Sequence, residues 1–205
     1  MVRDPVYRFF AEIQRVLSRS VELRHLHLGP GARVCALDAS YRDYNVKVGA
    51  VVFMLPGMEA LEELSFSGRT PFPYVPGLFY LREGPFAVEA LRRLSVVPDL
   101  VLVEGHGIAH PRRAGLASVV GLVTGRPTVG IAKGLLCGEV SWDSEDTGWV
   151  TLDGERVGLA YRCGRRTYYL SPGHLTDLET LLELMDLTDR RPHELVRRAH
   201  RLSRS

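Results

Sequence analysis

The sequence predicts one α/β domain over residues 1–205, with a central mixed five-stranded sheet, flanking helices and a small antiparallel β addition. Three observations predict it. Three apolar segments follow one another without a helical pattern between them, two more alternate with helical patterns, and an Asp-Gly turn separates short strands near the end. The composition, 45% hydrophobic and 24% charged, is typical of a globular protein and excludes disordered, collagen-like and fibrous classes.

The first part of the chain predicts a helix followed by a three-stranded meander. Apolar residues at three- and four-residue spacing predict a helix over residues 5–17, with one apolar face formed by Val6, Phe9, Phe10, Ile13, Val16 and Leu17. Apolar runs predict strands at residues 34–38, 46–55 and 61–66. Segment 67–80 contains too much glycine and proline for regular structure.

The second part alternates helices with strands and then changes to short strands. It predicts helices at residues 84–94 and 112–123, strands at 99–104 and 128–132, and final helices at 175–185 and 192–202. The Asp153-Gly154 pair is a strong hairpin signal. It predicts the antiparallel addition, with strands at residues 150–152, 157–162 and 167–170.

Charge alone does not identify a partner, because 26 basic residues against 24 acidic ones leave a net charge of only +2. The only lysines are Lys47 and Lys133. Arginine suits bidentate contact with phosphate, although genome base composition explains the bias equally well. The last segment concentrates cations, which form either a phosphate-facing surface or a solvated helix face: Arg190, Arg191, Arg197, Arg198, Arg201 and Arg204.

Cysteine usage and the terminal segment indicate a cytoplasmic protein. Cys35, Cys137 and Cys163 are widely spaced without a Cys-x-x-Cys pair, so we expect buried thiols rather than a zinc site or disulfides. Residues 1–5 lack the features of a secretory signal. The apolar stretches are far shorter than the ~20 residues of a membrane span. We expect a monomer that does not enter a membrane.

Three acidic residues occupy positions that are unusual for mere solubility. Asp38 and Glu104 end apolar strands, and Glu83 stands at the head of a predicted helix. An unpaired buried carboxylate is costly, so each is salt-bridged, capping a helix or bound to metal. If the strands of Asp38 and Glu104 are parallel neighbours, both side chains emerge at one sheet edge, where oxygen ligands suit Mg²⁺ or Mn²⁺. Lys133 ends the next strand, and either neutralises these acids or stabilises charge on a phosphate.

The segment Pro73-Tyr74-Val75-Pro76-Gly77 is a stiff loop around an aromatic residue. The pattern alone favours packing of Tyr74 beneath its own loop. An outward ring would instead stack on a nucleobase or fill the space that a displaced nucleotide leaves.

Glycines and histidines near the strand ends are open to two interpretations. Gly77, Gly105 and Gly107 either allow a flat ligand to approach the backbone or are ordinary turn residues. His106 and His110 are four residues apart, but Gly107 and Pro111 interrupt any helix between them, so we do not expect a paired-histidine zinc site.

Several segments, in order, resemble the endonuclease V family. They are residues 73–78 with 82–85, residues 104–112 (Glu-Gly-His-Gly-Ile-Ala-His-Pro-Arg), residues 130–133 (Gly-Ile-Ala-Lys) and residues 169–174. The resemblance extends over most of the chain from Asp38 to His200. It implies an RNase H-like fold and hydrolysis of a phosphodiester on the 3′ side of a deaminated base, inosine, in DNA or possibly RNA. It also implies Mg²⁺ or Mn²⁺ as cofactor and a role in DNA repair.

The resemblance also implies roles for individual residues. The implied catalytic residues are Asp38, Glu83, Glu104, Lys133 and His200, and the implied metal ligands are Asp38, Glu83 and Glu104. Tyr74 matches the family's wedge. The base pocket would involve Gly77, Phe79, Gly105 and Gly107, with His110 nearby.

Two departures from the family pattern bear on activity. Glu104 stands where the family usually has Asp, and Val119 replaces the histidine of its Ala-Ser-His segment. The extra methylene moves a ligand oxygen by ~1.5 Å, which is large beside a Mg–O distance of ~2.1 Å. We still expect an active enzyme. The alternatives are an inosine-binding protein that has lost cleavage, and an RNase H-like nuclease for flaps and mismatches.

Overall fold

The computed structural model describes residues 4–205. The prediction of a cytoplasmic location used residues 1–5, of which residues 1–3 lie outside the described range. Within residues 4–205, no helix is long and apolar enough to cross a bilayer.

The described chain forms five α-helices and nine β-strands. The helices are α1 (Pro5–Ser18), α2 (Phe79–Arg93), α3 (Leu116–Thr124), α4 (Leu178–Leu187) and α5 (Pro192–Arg204). The strands are β1 (Arg33–Arg42), β2 (Asn45–Met54), β3 (Glu59–Arg69), β4 (Leu100–Glu104), β5 (Thr128–Ala132), β6 (Glu139–Trp142), β7 (Thr147–Leu152), β8 (Glu155–Cys163) and β9 (Arg166–His174).

All nine strands belong to one sheet, in the order β3-β2-β1-β4-β5-β9-β8-β7-β6. Strands β1 to β3 form the predicted antiparallel meander, and β4 and β5 add in parallel to β1. The predicted five-stranded mixed sheet is therefore present. The antiparallel addition is not a separate layer, because β9 pairs with β5 and continues the same sheet.

Helices cover both faces of the central strands. Along β1, Val34 and Ala36 pack on the side of α4 and α5, whereas Cys35 and Leu37 pack on the side of α2 and α3. These alternating residues are 0–2% exposed, which explains why the strand is apolar throughout.

Helix α1 corrects one sequence prediction. Of the six apolar residues predicted to share one face, Val6, Phe9 and Val16 are 54%, 63% and 60% exposed. Phe10 and Leu17 of the same predicted set do pack against the core, and Gln14, which lies between them, is 1% exposed. The helix carries apolar residues on two faces, so periodicity alone did not determine which face is buried.

Helices α2 and α3 begin at positions other than those predicted. Helix α2 starts at Phe79 rather than at residue 84 and includes Pro85, so Glu83 lies inside the helix and not at its head. The buried side chains of Leu78 and Tyr80 hold this first turn against the core. Helix α3 starts later than predicted, since Arg113, at φ 55°, has a left-handed backbone conformation that no helix accepts.

The three cysteines are free thiols, as expected. The prediction that all three are buried was wrong for two of them. Cys35 is buried in the core, whereas Cys137 and Cys163 are only half-buried, because they lie at or beyond strand ends where helices no longer cover the sheet.

Candidate active site

The predicted acids lie together where the parallel strands end. The pairing of β1 with β4 stops at Leu37 and Val103, so Asp38 and Glu104 both follow the last paired residues at the same edge. Strand β1 itself continues to Arg42 alongside β2, which corrects the prediction that Asp38 ends its strand. Lys133 directly follows β5.

Helix α5 places a third potential metal ligand, His200, beside the two acids. His200 Nδ1 lies 2.5 Å from Asp38 Oδ2, and Lys133 Nζ forms an ion pair with the carboxylate of Glu104. One donor atom from each of Asp38, Glu104 and His200 lies within 4.8 Å of the other two. This acid–histidine cluster has the spacing and the donor atoms to hold one divalent ion.

Glu83 faces the same space from α2 but lies outside the acid–histidine cluster. Its side chain is buried, and the hydroxyl of Tyr41 is beside it without a hydrogen bond of ordinary geometry. The guanidinium of Arg82 stacks on the Tyr41 ring at 4.1 Å and donates to the carbonyl oxygens of Phe72 and Asp43.

Burial of several carboxylates together shifts their proton affinities. Burial, reinforced by the adjacent Glu104 and Glu83 carboxyls, raises the pKa of Asp38 to about 9. Burial and the charge of Glu104 raise the pKa of Glu83 to about 8. For Glu104 burial acts in the same direction, but hydrogen bonds from Asp38 and Lys133 outweigh it and lower the pKa. The site therefore favours an added positive charge, whether a proton or a cation.

A cleft of about 400 Å³ connects this cluster to the predicted base-binding residues. Every predicted site residue except Gly107 lines it: Asp38, Glu83, Glu104, Lys133, His200, Tyr74, Gly77, Phe79, Gly105 and His110. Gly107 lies behind the cleft wall, where its N–H donates to Ser171 Oγ. A Cβ at Gly107 would stand 1.9 Å from the Pro172 carbonyl oxygen, so this glycine permits close packing of two backbones.

Tyr74 stands at the mouth of the cleft with its ring 64% exposed. The expectation from the loop pattern alone, that the ring packs beneath its own loop, was wrong. The ring instead rests edge-on against Phe79, with 5.7 Å between centroids. Phe79 supports one side of Tyr74 and leaves the rest free to contact a ligand.

The carbonyl group of Gly77 is held by two side chains. It accepts from His110 Nε2 at 3.1 Å and from Arg112 Nη2 at 2.5 Å. His110 Nδ1 in turn accepts the Arg112 backbone N–H, which fixes the neutral Nε2–H form of the ring. Burial, with a smaller contribution from Arg112, lowers the pKa of His110 to about 4. His110 thus acts on the loop that bears Gly77, at φ 77°.

The sequence analysis missed several residues of the cleft, namely Gln14, Tyr41, His106, Leu116 and Leu136. Gln14 accepts from Arg112 Nε at 2.6 Å and donates to the Ala114 carbonyl, which links α1 to the cleft. Its position, between Phe10 and Leu17 on an apolar stripe, was a detectable signal. No pattern in the sequence marks Tyr41 or Leu136 as part of the cleft.

A second cavity, of about 270 Å³, adjoins the cluster on the side of α5 and is rich in cations. Its basic lining residues are Lys133, Arg166, Arg197 and Arg201. Arginines of the last segment also pair with carboxylates: Arg197, which lines the cavity, pairs with Glu194, and Arg198 pairs with Glu63. The solvated-face interpretation therefore holds for the exposed, paired arginines, and a phosphate-facing role for the cavity-lining ones stays a prediction.

Comparisons with known proteins agree with this geometry. The family model "Endonuclease V" matches residues 15–201. The endonuclease V of Saccharolobus solfataricus is 36% identical over 184 residues, covering 90% of this chain and 89% of its own. The structure of the endonuclease V of Streptomyces avermitilis is 32% identical, with TM-score 0.79, covering 96% of this chain and 94% of its own.

More distant structures share the fold. The catalytic domain of human endonuclease V is 28% identical, with TM-score 0.85, covering 99% of this chain and 96% of its own. Ciona intestinalis endonuclease V, in complex with DNA containing an inosine followed by a ribo-adenosine, is 21% identical, with TM-score 0.83, covering 98% and 97%. The predicted RNase H-like α/β fold is confirmed, and the chain belongs to the endonuclease V family of endonucleases.

Proposed function

We propose that this protein hydrolyses a phosphodiester on the 3′ side of inosine in nucleic acid, one bond removed from the lesion, as a step in DNA repair. One observation carries the proposal: the acid–histidine cluster and the glycine-bordered slot beside Tyr74 open into the same cleft. The complex of the Ciona relative with inosine-containing DNA supports this choice of substrate.

The donor set of the cluster fits Mg²⁺ or Mn²⁺. Two carboxylates and one imidazole converge, and an ion held by Asp38, Glu104 and His200 would offset the burial and the carboxylate repulsion that raise the pKa of Asp38. Glu83 is predicted to complete the set directly or through a water molecule. When bound, the ion supplies polarisation of the scissile phosphate and stabilisation of the leaving 3′ oxygen.

Lys133 and Glu83 supply the other chemical groups that hydrolysis of the phosphodiester needs. Lys133 orients Glu104 through their ion pair and places positive charge where negative charge develops on the phosphate. Glu83, buried and close to Glu104, positions the attacking water and accepts its proton.

Recognition of the base rests on a shaped slot. A hypoxanthine nucleotide, which pairs weakly, is rotated out of the stack and placed against the backbone of Gly77 and Gly105. Gly77 is held ready by His110 and Arg112, so its carbonyl group needs no rearrangement when the base enters. Tyr74 fills the space that the nucleotide leaves.

Glu104 favours activity over mere binding. Although it is longer than the usual Asp, its carboxylate reaches the cluster of Asp38 and His200, and Lys133 holds it there. We propose that the longer side chain is accommodated by this ion pair. Because one chain lines the whole cleft, we also propose that the protein acts as a monomer; its predicted cytoplasmic location stays a prediction.

A nicking panel tests the proposal. Labelled oligonucleotides with a single inosine, as DNA and RNA, in single strands and duplexes, are incubated with Mg²⁺, with Mn²⁺ and with EDTA. Matched strands with guanine, a flap or a mismatch serve as competitors. We expect a cut at the second phosphodiester 3′ to inosine with either ion and none in EDTA.

Variants separate cleavage from binding. Asp38→Ala should abolish nicking and retain part of the affinity for inosine-containing strands. The matched control is Asp143→Ala, because Asp143 is an exposed acid distant from Asp38 in the sequence. Retention of inosine strands without a nick by the unmodified protein would establish the binding-only alternative. Equal cutting of flaps and inosine strands would establish the broader nuclease.

A further inference from the structure

A second group of metal-binding side chains lies away from the cleft, where the extended segment after α1 crosses α4. His25 and His27 belong to that segment, and Glu183 belongs to α4. One donor atom from each lies within 4.8 Å of the other two. None of the three lines the cleft or the cation-rich cavity.

The two distances from Glu183 to the imidazoles are close to those between the ligands of a tetrahedral ion, and the two imidazole nitrogens lie within 4.8 Å of each other. His25 Nε2 lies 3.3 Å from Glu183 Oε1, and His27 Nδ1 lies 3.1 Å from the same oxygen. Zinc–nitrogen and zinc–oxygen bonds of ~2.0–2.1 Å at tetrahedral angles separate neighbouring ligand atoms by ~3.3 Å. The three side chains therefore need little movement to bind one ion.

Neighbouring groups already orient the ligands. Asp177 Oδ1 faces His25 Nδ1 at 3.4 Å, which turns the opposite nitrogen, Nε2, towards Glu183. Asp177 is itself fixed, because it caps α4 through the Thr180 N–H. A carboxylate on the far nitrogen of a ligating imidazole is the usual arrangement around zinc.

Glu183 uses one carboxylate oxygen for a backbone hydrogen bond and directs the other towards the two histidines. Its Oε2 accepts the backbone N–H of Leu28 at 2.6 Å, while Oε1 points to both imidazoles. His27 is 80% exposed at its side chain, so solvent can occupy a fourth position. This is a set of three protein ligands with an open coordination site.

We infer that His25, His27 and Glu183 form a second metal site, selective for Zn²⁺ and similar borderline cations over Mg²⁺, that fastens residues 21–28 to α4. Two imidazoles and a single carboxylate select such ions, whereas the catalytic cluster is richer in carboxylate. The segment already depends on α4 for the Leu26 N–H bond to Thr180 Oγ1. An ion would add a cross-link at the same junction.

The test measures Zn²⁺ binding in an Asp38→Ala background, which removes competition from the cleft. Metal-free protein is titrated with Zn²⁺ against a chromophoric chelator, and thermal unfolding is followed with and without Zn²⁺. We expect one equivalent of Zn²⁺ bound and a higher melting temperature. Replacing both His25 and His27 by Ala should weaken binding by at least about tenfold and abolish the thermal shift.

Matched controls make the result decisive. Glu22→Ala alters an exposed acid of the same segment outside the group and should bind Zn²⁺ unchanged. Glu183→Gln, which keeps an acceptor for Leu28, serves if the double histidine variant unfolds. Unchanged Zn²⁺ affinity in either ligand variant, no Zn²⁺ bound in the Asp38→Ala protein, or equal competition by Mg²⁺ would overturn the inference.

Discussion

Replacing Asp38 by Asn should stabilise the metal-free protein although it removes activity. Asp38 is 7% exposed and shares its surroundings with two other carboxyls. Its pKa in the folded state, about 9, is above the ordinary 3.8. The folded protein therefore binds the proton more tightly than the unfolded chain does, and stability from this group is lost as the pH rises from about 4 towards 9.

The size of the stability change at pH 7 follows from the difference between pH 7 and the ordinary pKa of Asp38. About three pH units separate the ordinary pKa from pH 7, and each corresponds to ~1.36 kcal/mol, which sets an upper limit of ~4 kcal/mol. The nearby ammonium group of Lys133 and local relaxation reduce this limit, so we expect a gain of ~1–3 kcal/mol in the free energy of unfolding. Glu104, with its lowered pKa, adds no slope above pH 5 or so, since both states are then ionised.

Thermal unfolding in EDTA at pH 5 and pH 8 measures this effect. A chain of this length gains about 2–4 °C per kcal/mol, so Asp38→Asn should melt about 3–10 °C higher near pH 7, with the gain growing towards pH 8. Saturating Mn²⁺ should reduce the difference, because it stabilises the unmodified protein. Asp143→Asn should change nothing. A loss of stability at pH 8, or a gain independent of pH, would refute the reasoning.

Three further substitutions test the cleft and its surroundings. Tyr74→Ala should reduce cutting of inosine in duplexes about tenfold or more and affect single strands less, as measured by initial nicking rates. Arg201→Ala should weaken binding of any nucleic acid and lower the slope of log affinity against log salt by about one, as measured by fluorescence anisotropy. Gly107→Ala should destabilise the protein by more than ~3 kcal/mol in chemical unfolding, because its Cβ meets the Pro172 carbonyl oxygen at 1.9 Å.

Each of these changes has a matched control. Tyr44→Ala removes another half-exposed tyrosine, Arg191→Ala removes an arginine paired with Asp189, and Gly57→Ala adds a Cβ that meets nothing within 4 Å. Equal losses on duplex and single strands would argue against a wedge. An unchanged salt slope would remove Arg201 from the phosphate path, and a stable Gly107→Ala protein would contradict the packing argument.

The sequence predicted most of the central sheet well because β1, β2, β4 and β5 are largely buried on both faces and therefore contain nearly continuous apolar runs, whereas β3 alternates between exposed and half-buried residues. The same logic placed Asp38 and Glu104 at one edge, since each carboxylate interrupts such a run where the parallel pairing ends. Lys133 was predictable for the same reason, because it directly follows the apolar run of the next parallel strand, β5.

Features that depend on tertiary contacts were not predictable. The buried face of α1 depends on a hydrogen bond between Gln14 and the Ala114 carbonyl, 100 residues away. The early start of α2 depends on core packing of Leu78 and Tyr80. The place of His200 beside Asp38 required the resemblance to a family, because no local pattern connects residues separated by 162 positions.

The contact between His200 of α5 and Asp38 of β1 means that the acid–histidine cluster can form only after α5 has been synthesised. During translation the strand that bears Asp38 is made before the helix that bears His200. A ribosome-bound nascent chain therefore lacks one of the three metal-ligand side chains until α5 has been synthesised. A polypeptide that ends before α5 would accordingly lack His200 as well as the helix residues Leu195 and Ala199 that cover one face of the sheet.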